Sequence, residues 1–321
     1  MKTKKFLTIN EQINRLGSLG IKIQNRPKTE SILMKNSYYN ILNGYREPFL
    51  YLGNKTRYIR GVKFTEIYQL YYFDKQLRNV LFPALLDIEN ILKSQIVYEF
   101  LSTTNHNREL IHDGDAYLRI DSYDLNKSSN ERNFSSAIGL ISNLHKTISK
   151  NFKNSETISH YLTKYGYVPL WALATHLTFG DIGKFYACMK PQNRQSVSKR
   201  YKMPDNDLSS IIKLLTYTRN SCAHGNRLYC IKTNDLPLPD QANYSIQFNL
   251  IKVSNGQHKL FTVLIAMKYF MSGREYKAFI NRLSTIIFQL EIKLKTIHIN
   301  TILDIMGFPQ DWKLQLEKLL P

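Results

Sequence analysis

Apolar residues return every three or four positions along most of the chain, the spacing of helices that bury one face. The strongest run covers 64–101, where Phe64, Ile67, Tyr68, Tyr71, Leu77, Leu81, Leu85, Ile88, Leu92 and Ile96 predict one long core helix. Pro83 lies inside it, removes a backbone donor and crowds the preceding turn, so a kink or a break is expected there. Upstream, Ile9, Ile13 and Leu16, then Ile32, Leu33, Tyr38, Tyr39, Ile41 and Leu42, fit two short helices joined by a turn, with Gly17, Gly20 and Pro27 as interruptions. The stretch from Asn43 through Gly44 and Pro48 to Phe49 reads as a loop, and residues 102–135 lack any period and read as a loop insertion.

Helical spacing resumes over 137–165 and again from Pro169, whose missing amide proton suits a first turn. Asp205, Asn206 and Asp207 offer N-caps for a helix whose buried stripe is Leu208, Ile211, Ile212, Leu215 and Cys222. Tyr244 to Leu250 alternates with period two, so a small β-hairpin near 244–261 is one reading of that stretch. Helical patterning returns from about Leu260 to His298 with a break near Gly273, and two short segments, 301–306 and 311–320, close the chain. The expectation is an all-α bundle with additional helices. It comprises a basic helical segment over 1–63 packed on the core, a helical core over 64–230 carrying the insertion at 102–135, and a loop or hairpin with C-terminal helices over 231–321, all in one compact unit.

Charge narrows the partner. The 321 residues hold 44 Lys and Arg against 25 acids, a net +19, which favours an acidic polymer and nucleic acid first. The excess is steep at the front, where residues 1–63 hold 13 basic and 3 acidic side chains. A cationic surface that serves only solubility is the alternative. The 21 tyrosines could stack on unpaired bases, although most at helical spacing belong to the core. Asn10, Glu11 and Gln12 interrupt any apolar stretch after the basic start, and the run Thr262 to Met267 falls far short of the ~20 residues that span a bilayer. A cytoplasmic protein without a membrane partner is expected. Cys188, Cys222 and Cys230 are odd in number and scattered, so neither disulfides nor a metal or other cofactor is expected. Phe179-Gly180-Asp181-Ile182-Gly183-Lys184 invites a phosphate-loop reading, but it lacks the G-x-x-x-x-G-K-[ST] pattern and a preceding strand, and a helix-to-helix turn is favoured.

The chemistry concentrates in Thr218-Arg219-Asn220-Ser221-Cys222-Ala223-His224-Gly225-Asn226-Arg227-Leu228-Tyr229. RNA carries its own nucleophile, the 2′-hydroxyl, so cleavage needs a base, a cation on the phosphate and a proton source for the leaving 5′-oxygen. His224 can act as base or acid near neutral pH, and Arg219 is a permanent cation whose planar fork fits phosphate oxygens. On a helix Asn220 and His224 share a face while Arg219 and His224 diverge by about 140°. One helix therefore does not aim all three at one phosphodiester, and a second copy in a two-fold dimer, each Arg facing the other chain's His, completes the site most economically. Arg227 could add phosphate charge or pair with an acid. The alternative is structural: His224 a core histidine, Asn220 a cap, and Arg219 a partner for Glu89 or Asp87.

These residues resemble the Abi-like abortive-infection proteins of the AbiD/AbiF type within the HEPN superfamily, whose mark is Arg, usually a polar residue, and His after four to six intervening positions. Tyr38-Tyr39 with Gly44-Tyr45 and Pro48-Phe49, Phe73-Asp74-Lys75-Gln76-Leu77-Arg78 with Asp87-Ile88-Glu89, Pro169-Leu170-Trp171 through Phe179-Gly180, and Met306-Gly307-Phe308-Pro309-Gln310-Asp311-Trp312 resemble further blocks in the same order. Many relatives carry Glu where Thr175 stands. The resemblance implies a HEPN-like helical bundle, a metal-independent endoribonuclease and an antiphage defence toxin that arrests growth when released. It implies a bacterial setting, Arg219, Asn220 and His224 as the active set, Glu89 as an orienter of Arg219 or else a surface or structural acid, and restraint by a regulatory noncoding RNA or an antitoxin; the homodimer is expected from the helix geometry. A non-catalytic RNA-binding HEPN module that sequesters, or is regulated by, a noncoding RNA is the competing expectation.

Overall fold

The computed structural model describes residues 5–104, 113–125, 130–233 and 259–318, and these form fourteen α-helices and no sheet. Extended pairing among them is limited to the isolated bridges Lys22 to Lys63, Leu50 to Tyr58 and Tyr123 to Met189. The helices are α1 (Ile9–Ser18), α2 (Arg26–Lys35), α3 (Tyr38–Tyr45), α4 (Phe64–Thr104), α5 (Asn130–Asn151), α6 (Glu156–Tyr165), α7 (Leu170–Leu173), α8 (Phe179–Cys188), α9 (Pro191–Lys199) and α10 (Asp205–Ala223). After the undescribed stretch come α11 (Leu260–Lys268), α12 (Gly273–Lys293), α13 (Ile299–Met306) and α14 (Trp312–Lys318).

Several expectations need correction. Three helices precede α4 rather than two, because Pro27 opens α2 instead of breaking it and Asn36, in an extended conformation, separates α2 from α3. The loop expected from Asn43 to Phe49 is instead the end of α3 followed by a 3₁₀ turn, Glu47–Phe49. Of the kink or break expected at Pro83, the break is absent, since α4 runs through it; Leu81 and Leu85 on either side are fully buried, and Pro83 itself is exposed. Within the loop insertion expected over 102–135, α4 reaches Thr104 and α5 starts at Asn130. Asp113–Leu118 and Ile120–Ser122 form 3₁₀ turns, and buried Tyr117 and Tyr123 anchor them, with the Tyr117 hydroxyl donating to the Val168 carbonyl at 2.7 Å. The segment from Phe179 to Lys184 is the start of α8, not a turn before it, with Thr178 and Asp181 closing a capping box. Of the hairpin proposed near 244–261, residues up to 258 lie outside the described ones, and Leu260 and Phe261 are helical.

The described residues group into two compact units. The first contains 5–83, 220–233 and 259–318, and thus α1–α3, the first half of α4, and α11–α14. Its α1 packs on α2 and its α12 on α14. The second contains 84–104, 113–125 and 130–219, where α5 packs on α8 and an aromatic cluster of Phe100, Tyr123 and Phe185 fills the core, with Phe100 and Phe185 centroids 4.9 Å apart.

The long helix carries an unusual feature. Four acids, Glu66, Asp74, Glu89 and Glu99, lie on its buried face with relative exposures of 1%, 0%, 3% and 8%. A buried carboxylate is tolerated only when paired or hydrogen-bonded, and each of these is. Within the first unit Glu66 accepts from the backbone of Lys295 and Thr296 and from the Thr296 hydroxyl at 2.6–2.7 Å, which ties the segment after α12 to the start of α4. Within the second unit Glu99 pairs with Arg200 beyond α9. The remaining two, Asp74 and Glu89, fasten the candidate site.

Candidate functional site

Helix α10 buries Leu208, Ile211, Ile212, Leu214 and Leu215, and continues the same face through Thr218, Ser221 and Cys222. Thr218 is fully enclosed, its hydroxyl donating to the Leu214 carbonyl at 2.9 Å. With these positions turned inward, Arg219 and Asn220 are half-buried and Ala223 and His224 are exposed. His224 is thus not a core histidine. Its amide still donates to the Asn220 carbonyl at 2.9 Å, so it stands at the cap of the helix.

The helix stops by a defined device. Gly225 has φ +69, its amide donates to the Cys222 carbonyl at 3.2 Å, and the Asn226 amide donates back to Ser221 at 2.9 Å. This is the Schellman arrangement, in which the residue after the cap takes the left-handed conformation. A Cβ at Gly225 would meet nothing within 4 Å, so only the backbone conformation opposes substitution. Gly225→Ala is therefore expected to destabilise the protein by about 1 kcal/mol, read as a lowered urea midpoint; no change would mean that the turn relaxes at no cost.

In the second unit, the Arg219 Nε donates to Glu89 Oε2 at 2.9 Å, and Lys93 Nζ lies 2.9 Å from the other Glu89 oxygen. The Glu89 side chain is 4% exposed, Lys93 16% and Arg219 24%. One enclosed carboxylate thus faces two cations, Arg219 on one oxygen and Lys93 on the other. Glu89, and not Asp87, is the partner of Arg219.

In the first unit, the strand of residues that follows His224 is clamped by Asp74. Its Oδ1 accepts from the amides of Leu228 and Tyr229 at 2.9 and 2.8 Å. Its Oδ2 accepts from the Tyr45 hydroxyl at 2.8 Å and pairs with Arg78, which also donates to the Asn226 carbonyl at 3.0 Å. Burial pushes the Asp74 carboxyl up from its ordinary range, while Arg78, the Tyr229 amide, the Tyr45 hydroxyl and the Leu228 amide pull it down. The Tyr45 and Tyr229 rings stack with centroids 5.4 Å apart. Arg227 folds back so that Nη1 donates to the Gly44 carbonyl at 2.9 Å, which also accepts from the Tyr229 hydroxyl at 3.0 Å. Among the described residues no acid pairs with Arg227, and its side chain passes close to the bare glycine: a Cβ at Gly44 would stand 3.3 Å from Arg227 Cδ, which would have to give by a few tenths of an ångström.

Of the residues singled out in the sequence, Arg219 meets Glu89, and Asn220 meets His224 through the backbone. Sequence reasoning did not single out Asp74, Arg78, Tyr45 or Lys93 as site residues. Asp74 carried a readable signal, since it sits four residues after Leu70 and three before Leu77, both fully buried, and an acid on such a stripe needs dedicated partners. Cys222 is buried, and burial pushes its thiol up to about 12, so it is no nucleophile at neutral pH. All three cysteines are free. Among the described residues no helix is long and apolar enough to cross a membrane.

The Asp74 and Glu89 clamps and the Arg219 to Tyr229 segment all fall within residues 31–230, which match the model of a protein family described as Abi-like protein. No curated protein and no solved structure matches the chain. Because that match takes in well over half of the sequence, including every residue of the candidate site, the chain belongs to the Abi-like protein family.

Proposed function

We propose that the protein is a metal-independent endoribonuclease of the HEPN type that acts as an abortive-infection toxin in antiphage defence. The observation that carries this reading is Arg219, fastened through Nε to an enclosed carboxylate, on the helix whose exposed cap is His224. Family membership supports abortive infection as the setting, and the net +19 supports an RNA partner.

The reaction is transesterification within the RNA. His224 takes the proton of the 2′-hydroxyl as its oxygen attacks phosphorus, the bond from phosphorus to the 5′-oxygen breaks, and a second imidazole returns a proton to that oxygen. Arg219 holds the non-bridging oxygens as charge builds on them, and Asn220 orients one of these groups. A homodimer supplies the second set, the Arg219 of one protomer facing His224 of the partner subunit. Fragments then carry 2′,3′-cyclic phosphate and 5′-hydroxyl ends. A regulatory noncoding RNA or an antitoxin restrains the toxin until infection.

The test incubates the purified protein and its His224→Ala variant with total cellular RNA in EDTA and maps the fragment ends. Cleavage that persists in EDTA, leaves those ends and disappears in the variant is the expected result. RNA that both proteins bind, with a strong salt dependence, yet return intact would sink the nuclease and favour a non-catalytic RNA-binding module.

A further inference from the structure

A pocket of about 690 Å³ opens in the first unit where α3, the first half of α4 and the residues after α10 meet. Its size falls in the range of small-ligand sites. Lys75, Arg78 and Arg227 line it, and no Asp or Glu does. The charge on Arg78 is met by Asp74, but among the described residues neither Lys75 nor Arg227 pairs with an acid, and Arg227 rests only on a carbonyl. Two uncompensated cations thus face one cavity, which favours an anionic ligand. Tyr39, 67% exposed at its rim, presents a broad ring face to solvent, and the Asn43 and Asn79 amides add donors and acceptors within the same walls. Gly225, the next residue after His224, also lines the pocket.

From this combination we infer that the pocket binds one nucleotide of single-stranded RNA beside the cleaved bond, its phosphate on Lys75 and Arg227 and its base stacked on Tyr39. The arrangement matches how single strands are held without a fixed sequence: cations on the backbone, an aromatic face under a base, and amide groups within reach of the base edge. The Asp74 clamp then has a purpose beyond stability, since it fixes the backbone on which Arg227 is mounted. The inference rests on RNA being the substrate.

The experiment measures binding of a short fluorescent single-stranded RNA of mixed sequence to the His224→Ala protein, so that cutting does not enter, and then to the same protein with Lys75→Ala or Tyr39→Ala. Lys75 and Tyr39 are both exposed, and matched melting curves verify that the variants fold. Tyr39→Ala is expected to weaken binding roughly 5- to 150-fold, and Lys75→Ala to flatten the slope of log affinity against log salt by about 0.7. The same RNA carrying 5-iodouridine should crosslink to Tyr39 under ultraviolet light. Unchanged affinity and salt slope in both variants, or a parent protein that binds no RNA, would overturn the pocket. The nuclease reading fails separately. Wild-type protein that binds through Tyr39 and Lys75 yet leaves RNA intact keeps the pocket and removes the nuclease. Wild-type cleavage that is unaffected by both substitutions does the reverse.

Discussion

Replacing Asp74 with alanine is expected to lower stability by about 3–5 kcal/mol, the range seen when one partner of a buried ion pair is removed. The substitution leaves the part-buried Arg78 guanidinium, the amides of Leu228 and Tyr229 and the Tyr45 hydroxyl without their shared acceptor. Each of those donors then bears its own desolvation penalty. Asp74→Asn should be milder. One amide oxygen can still accept from the two backbone groups, but its nitrogen then confronts Arg78, which has no acceptor there. For a cooperative unit of this size the alanine variant's melting temperature should fall by on the order of 10 °C. An Asp74→Ala protein that melts like wild type would show that the turn after α10 is held by something other than this carboxylate. Arg78→Met separates charge from packing: it removes the cation but keeps much of the stem, and should cost less than Asp74→Ala, because four donors lose their shared acceptor in one case, while in the other the Asp74 carboxylate and the Asn226 carbonyl each lose one donor and Asp74 keeps three others.

The buried acids of α4 mark where the sequence could be read and where it could not. The helical fold was legible because Leu77, Leu81, Leu85, Ile88, Leu92 and Ile96 repeat at helical spacing, and all of them are buried. The boundary between α2 and α3 was not, because it lies at Asn36, which carries no glycine or proline signal and takes an extended backbone conformation with its side chain donating to the Ile32 carbonyl. The 3₁₀ turns over 113–122 have no long-range period to detect, so their packing through Tyr117 and Tyr123 emerges only in three dimensions. At the site, the helix bearing Arg219 and His224 was read from its N-cap candidates and its apolar stripe. The partner of Arg219 was narrowed to two neighbouring acids, and burial decides between them: Glu89 lies on the enclosed face and Asp87 is exposed. The bond from Arg227 to Gly44 joins residues 183 apart, and nothing in the local spacing of either announces it.

The largest functional effect should come from Arg219 and His224. Replacing either by alanine is expected to reduce RNA cleavage by roughly 10²- to 10⁴-fold, the scale for loss of a positioned acid or base or of a charge-stabilising donor. Loss of Arg219 alone does not separate chemistry from structure, since Arg219 also contributes to the ion pair with Glu89. Glu89 makes the separation. Glu89→Gln preserves shape and one accepting oxygen but removes the charge that holds Arg219 and Lys93 together, so as a positioning residue it should lower kcat by about tenfold while KM changes little. Arg219→Lys completes the argument: a lysine keeps the charge but loses the planar fork and the Nε that meets Glu89, so it should rescue stability better than activity. If the pair were only structural, Glu89→Gln and Arg219→Ala would lower the melting temperature together and leave the rate per folded molecule unchanged. Cleavage that tracks the guanidinium while stability tracks the charge is the outcome that assigns Arg219 to the reacting phosphate, and Glu89 to holding it there.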